Sequence, residues 1–157
     1  MPAAQPEESG GNDMQVRDLM SSSVVSIAPD ESVALAARLL SRHNIGSLPV
    51  CGADGRLRGI VTDRDIVLRC VAAEENPANT PVREIMSYNC AVVSPEDDPR
   101  EASRMMAAAQ VRRLPVTEEG KVVGMVSLGD LAKSHAFDME ASKALSEISE
   151  NILRPER

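Results

Sequence analysis

Apolar positions along the chain fall into short blocks with two different periods. Val24–Ile27 is a mostly β-branched run closed by Pro29, which predicts a strand. Behind it Val33, Ala36, Ala37, Leu39 and Leu40 recur at helical spacing. A helix is therefore expected from a cap at Asp30 or Ser32 to about Arg42. Leu48–Val50 and Leu57–Val61 flank Gly52-Ala53-Asp54-Gly55. Glycine tolerates positive φ and aspartate accepts from nearby backbone donors, so the three pieces read as a hairpin. A second helix is expected to start near Asp63 and to carry Ile66, Val67, Cys70 and Val71. The same order then returns, with strands near Ala91–Val93, Leu114–Val116 and Val122–Val126 and helices near Pro99–Ala109 and from Leu128 onward.

This return is an internal repeat. Val16–Val50 laid over Val82–Val116, at an offset of 66, gives ten identities in 35 pairs. VRDLMS (Val16–Ser21) meets VREIMS (Val82–Ser87), Pro29 meets Pro95, and SLPV (Ser47–Val50) meets RLPV (Arg113–Val116). One residue is then lost in the turn, and at an offset of 65 GIVTDRDI (Gly59–Ile66) meets GMVSLGDL (Gly124–Leu131). Half-sized units of this kind cannot hide their apolar faces alone, and pairing about a pseudo-two-fold axis solves that. The boundaries follow: a disordered tail over 1–13, rich in Pro, Gly and acid; a first repeat over 14–75; a polar linker over 76–81; a second repeat over 82–135; and a helical extension over 136–157. In that extension Met139, Leu145, Ile148 and Ile152 lie partly on one face, which could fold back on the pair or meet a partner.

Composition narrows the function. One Tyr, one Phe and no Trp leave the core to aliphatic residues and argue against stacking platforms for single-stranded nucleic acid. A net charge of −7 points the same way, so no nucleic-acid partner is expected. No apolar run approaches membrane-spanning length, and the first residues have neither the basic start nor the apolar stretch of a signal peptide, so a cytoplasmic protein with no membrane partner is expected. Cys51, Cys70 and Cys90 are odd in number and contain no C-x-x-C pair, so they read as small apolar groups in a reducing compartment, with no metal site. His43 and His135 have no partner at ligand spacing.

The duplicated Gly-apolar-Val-[Ser/Thr]-x-x-Asp pattern carries the candidate chemistry. Thr62 with Asp65, and Ser127 with Asp130, stand where a strand hands over to a helix. They form an acidic variant of the capping box, in which the hydroxyl accepts from the third amide and the carboxylate reaches back. The same atoms also suit a ligand, because a carboxylate at a helix start can bind a ribose diol and the helix amides can meet phosphate. Residue types and spacing leave both readings open.

Both repeats resemble cystathionine-β-synthase (CBS) domains, and together they resemble a stand-alone CBS pair, or Bateman module, of the actinobacterial hypoxic-response type. The residues that carry the resemblance are HNIGSLPVCGADGRLRGIVTDRDIV (His43–Val67) and QVRRLPVTEEGKVVGMVSLGDL (Gln110–Leu131). It implies an α+β fold of two pseudo-symmetric β-α-β-β-α repeats. It also implies two clefts for adenosine derivatives, with AMP, ADP, ATP, NAD or S-adenosylmethionine as regulatory ligand rather than permanent cofactor. By position it assigns Thr62, Arg64, Asp65, Ser87, Val92, Arg112 and Arg113 to one cleft, and Ser21, Ser26, Ser127 and Asp130 to the other. Arg112-Arg113 stands where the first repeat has Gly46-Ser47, and two guanidiniums suit phosphate, so the Asp65 cleft is expected to be the stronger.

The expected function is thus a non-catalytic sensor of adenosine nucleotide that signals to a protein target unnamed by the sequence. No nucleophile–base pair, acid/base pair or metal cluster suggests an enzyme. The alternative is a ligand-independent scaffold or stress-response protein acting through its interface. A homodimer is expected, with Ile66, Val67, Cys70, Val71 and Leu131 as candidate seam.

Overall fold

Ser32 starts the first long helix. Its side chain accepts from the Leu35 amide, which satisfies one of the donors a helix start leaves unpaired. The helix ends where Asn44 turns left-handed at φ 53°. Sixty-six positions on, Asp98 caps a helix of equal length that ends at left-handed Gln110, φ 60°. The hairpin turns match as well, with Gly55 at φ +82° and Gly120 at φ +81°. Backbone conformation therefore repeats where the sequence repeats.

The computed structural model describes residues 14–133 and 143–149. Its elements in order are α1 (Val16–Leu19), α2 (Val33–His43), β1 (Ser47–Cys51), β2 (Leu57–Thr62), α3 (Asp63–Ile66), α4 (Pro99–Ala109), β3 (Arg113–Glu118), β4 (Lys121–Ser127) and α5 (Leu128–Ala132). A π-helical segment, Val67–Val71, follows α3, and a 3-10 turn, Val82–Glu84, precedes α4. β1 pairs antiparallel with β2 from Ser47↔Thr62 to Cys51↔Leu57, and β3 pairs with β4 in a second sheet. This is the α+β class expected. The readings of 1–13, of His135, and of Met139 and Ile152 in the expected extension fall outside the described residues.

The first strand of each repeat is shorter than the pattern suggested. In the run Val24–Ile27, Ile27 forms an isolated parallel bridge with Val50. Its amide donates to Pro49 O at 3.1 Å, and its carbonyl accepts from the Cys51 amide at 2.9 Å. Extending this ladder requires amides at residues 49 and 29, and both are proline. In the second repeat Val93 is likewise a lone bridge residue, with Pro95 and Pro115 at the matched places.

The chain gathers into two compact units that cut across the repeats. Among the described residues, the first holds those up to Met20, Val93–Leu114 and those from Val126 on; the second holds Ser21–Val92 and Pro115–Met125. The core of the second unit includes Val33, Ala36 and Leu40 of α2, Leu48 and Val50 of β1, Val61 of β2, and Cys70, Val82, Ile85 and Met86. In the first unit Val16, Val93, Ala102, Met106, Leu114, Val126, Leu128 and Leu131 are buried. Residues 143–149 are helical, and Ala144 and Ile148 are buried, whereas Leu145, expected on the apolar face, is exposed. This stretch shares with α4 a cavity of about 380 Å³.

The caps yield a stability prediction. Ser32→Ala is expected to lower stability by about 1 kcal/mol, read as a lower urea midpoint with unchanged slope. At the matched cap, the Arg100 side chain holds the Asp98 carboxyl below its usual value. A depressed folded-state value means that this contribution is present above the ordinary carboxylate range and fades as pH falls through the folded value.

Candidate functional site

Both strand-to-helix turns close as full capping boxes. At the first, the Asp65 amide donates to Thr62 Oγ1 at 3.0 Å, and the Thr62 amide donates to Asp65 Oδ2 at 3.0 Å. At the second, the Asp130 amide donates to Ser127 Oγ at 3.0 Å, and the Ser127 amide donates to Asp130 Oδ2 at 2.9 Å. One oxygen of each carboxylate is thereby committed to the backbone. Asp65 Oδ1 stands 3.8 Å from the Arg69 guanidinium, and Asp130 Oδ1 stands 3.5 Å from Lys133 Nζ. Asp65 is 8% exposed. Neither contact saturates Oδ1, so each keeps acceptor capacity for a hydroxyl donor.

Backbone bonds assemble the surroundings. In the second unit the Asp63 amide donates to Gly46 O at 3.0 Å, which brings the residues before the Leu-Pro-Val run to the start of α3. The Ile60 amide donates to Ser87 O at 2.9 Å and the Ser87 amide to Ile60 O at 2.8 Å. Ser21 and Met125 exchange the equivalent pair at 2.8 and 2.9 Å. In each case the Met-Ser segment that opens one repeat pairs with the last strand of the other. The first unit repeats the helix-start contact, since the Leu128 amide donates to Arg112 O at 3.0 Å.

The residues proposed for ligand contact distribute as follows. Thr62, Asp65, Ser87 and Val92 are buried or half-buried in the second unit, and Arg64 there is exposed. Arg112, exposed, and Arg113, half-buried, belong to the first unit, as do Ser127 and Asp130. Ser21 and Ser26 are exposed residues of the second unit. Ser26 also lines a cavity of about 340 Å³ there, together with Val24, Ala28, Glu31, Cys51 and Val122. That volume is at the lower end for small-molecule sites. Burial pushes the Cys51 thiol up, against a smaller opposing effect of its hydrogen bond with Ser26. A raised thiol stays protonated at neutral pH, the opposite of an activated nucleophile. Glu31 and Cys51 carry no sequence signal as lining residues, because one looks like a solvated acid and the other like a core filler. Among the described residues no group of three or more His, Cys, Asp or Glu side chains is placed to hold a metal ion.

The proposed seam residues divide. Cys70 is fully buried and Ile66 packs against the core, while Val67, Leu68 and Val71 are exposed, Val71 at 60%. Leu131 is buried within the first unit. The π-helical turn is the cause of the altered face, since Ala72 donates to Val67 O and Glu75 to Cys70 O, five residues apart, and side chains no longer follow a 3.6 period.

The CBS domain model matches twice, over residues 16–71 and 82–136, and the chain belongs to this family. It is 40% identical over 134 residues to the CBS domain-containing protein YhcV of Bacillus subtilis, covering 85% of this chain and 94% of that protein. It is 37% identical over 117 residues to hypoxic response protein 1 of Mycobacterium tuberculosis, covering 74% and 82%. A crystal structure of hypoxic response protein I with two coordinated zinc ions superposes with a TM-score of 0.71 at 37% identity, over 76% of this chain and 98% of that one. The CBS pair of protein MJ0100, solved with 5-methylthioadenosine and S-adenosyl-L-methionine, superposes with a TM-score of 0.68 at 26% identity, over 76% and 98%.

Proposed function

We propose that this chain is a cytoplasmic regulatory module that binds an adenosine nucleotide reversibly and passes its occupied state to a protein partner, without catalysis. The observation that carries the reading is the buried Asp65 carboxylate, fixed by its cap through Oδ2 and keeping acceptor capacity on Oδ1. Such an oxygen is preorganised to accept from a ribose hydroxyl. The adenosine derivatives bound by the MJ0100 pair support the ligand class. Thr62, Asp65, Ser87, Val92 and Arg64 form the proposed ribose and base contacts in the second unit, with Ser127 and Asp130 as the equivalent turn in the first. Arg112 and Arg113 as phosphate ligands, and Ser21 and Ser26 as base contacts, rest on the family resemblance. With few aromatics the base is held by aliphatic side chains and strand amides, which suits an exchanging ligand. A ligand shifts such a module by binding two states unequally.

The test is calorimetric titration with AMP, ADP, ATP, NAD and S-adenosylmethionine. Binding of at least one is expected, and no heat from any of them with folded protein rejects the ligand. A scaffold that needs no ligand is the second reading, and it is favoured by one specific observation: both carboxylates serve complete capping boxes, which gives each a structural role of its own. Under it Asp65 matters for folding alone.

We also propose a homodimer through the exposed apolar face Val67, Leu68 and Val71. Val71→Glu is expected to shift native mass spectra from dimer to monomer. A wild-type monomer at micromolar concentration, or a dimer unmoved by the change, rejects this seam. The same spectra report any co-purified nucleotide.

A further inference from the structure

Arg69 sits within the π-helical segment, four residues after Asp65. Its Nη1 donates to Ile85 O at 3.1 Å and to Met86 O at 3.4 Å, and the same nitrogen stands 3.8 Å from Asp65 Oδ1. Ile85 and Met86 are buried, and the next residue, Ser87, exchanges two hydrogen bonds with Ile60 of β2. One guanidinium nitrogen, Nη1, therefore links the Asp65 carboxylate to the segment that leads into the Ile60–Ser87 pair. All these residues lie in the second unit.

The repeat shows that this tie is not part of the shared plan. At the offset of 65 the position matched to Arg69 is Ser134, which has no cation. Asp130 is approached instead by Lys133, three residues on rather than four, with a largely exposed ammonium. Lys133 meets Asp130 within its own turn, whereas Arg69 reaches carbonyls 16 and 17 residues away. The π-helical turn coincides with the residue that makes the reach.

We propose that Arg69 is a positioning residue for ligand binding at the Asp65 turn. It holds Asp65 Oδ1 and the Ile85–Ser87 backbone in one fixed relation, so that a hydroxyl accepted by the carboxylate is felt at the Ile60–Ser87 pair. This rests on the nucleotide reading of the Thr62–Asp65 turn. It assigns the difference between the two turns to the fold rather than to the Arg112-Arg113 pair, and it names the backbone that responds.

The experiment combines AMP calorimetry with amide hydrogen exchange at Ile60 and Ser87 in the full chain. Wild-type protein is expected to bind AMP and to exchange more slowly at both amides when AMP is present. Arg69→Met is expected to bind about tenfold more weakly, because the carboxylate is no longer held in place, and to lose the AMP-dependent slowing. Arg69→Lys is expected to recover part of both, and Lys133→Met to change neither. A purely structural role for Arg69 would alter melting without touching the AMP-dependent slowing. Should Arg69→Met not fold, Arg69→Gln decides: it keeps a donor for the carbonyls but gives Asp65 no charge, and several-fold weaker binding is expected. Wild-type affinity and slowing in whichever of the two folds overturn the inference alone. Absence of AMP heat in the wild type overturns the nucleotide reading for AMP and this inference with it, and the two failures differ in which protein shows them.

Discussion

Gly59→Ala is expected to lower stability by about 3 kcal/mol, because the new methyl group has nowhere to go. A Cβ at this position would lie 2.4 Å from Ser87 O and 3.3 Å from Met86 Sδ. The methionine could swing aside. The carbonyl could not, because it accepts from the Ile60 amide while the Ser87 amide donates to Ile60 O. Relief requires opening that pair and shifting Met86, which is 4% exposed and part of the core. Gly52→Ala is the control. Its Cβ would meet only side-chain atoms of Arg58 and Asp54, at 2.9 to 3.0 Å, and both side chains are half-exposed and can turn away. Urea unfolding of the two variants checks this, with a large midpoint shift for Gly59→Ala and a small one for Gly52→Ala. Similar shifts would mean that the Ser87 approach is softer than its geometry states.

Two substitutions at Asp65 are expected to separate folding from binding. Asp65→Ala removes the acceptor for the Thr62 amide in a buried setting and is expected to cost about 2 kcal/mol. Asp65→Asn keeps a carbonyl oxygen that can take the same amide hydrogen, so most of the cap survives. Both variants lose the ionised acceptor proposed for the ribose hydroxyls. Hydrogen bonds to charged groups contribute about 1.5–3 kcal/mol, so the affinity for AMP is expected to fall roughly 10- to 100-fold in each. The signature is a stable Asp65→Asn protein that binds poorly. If Asp65→Asn binds like wild type, Asp65 is a cap and the nucleotide contact lies elsewhere. Parallel changes at Asp130 report whether the second turn shares the role.

Much of this architecture was legible because its determinants are local. Ser32 and Asp98 cap through contacts two or three residues away, Gly55 and Gly120 turn with positive φ, and each [Ser/Thr]-x-x-Asp box closes within three positions. The ambiguity of those boxes was equally legible, since one set of atoms serves both a cap and a ligand. The β-branched runs predict longer first strands than the fold has: Pro29 and Pro49 remove the donors a longer ladder needs, but this shows only once the two segments are neighbours. A 3.6 period puts Cys70 on one face with Val67 and Val71, but this stretch is π-helical and Cys70 is buried while the other two are exposed.

The sequence by itself determined the duplication, the order of helices and hairpins, the caps, and the family, all of which depend on residue chemistry at short separations or on the match between two halves of one chain. Tertiary structure alone decided why Gly59 must lack a side chain, which face of Val67–Val71 meets solvent, and that Arg69 reaches Ile85 and Met86. The first and third depend on backbone brought together from 16 or more residues away, and the second on a change of helical period that only the folded backbone displays. No local pattern encodes such approaches, because a glycine in a strand or an arginine after an aspartate looks the same until the opposing segment is in place.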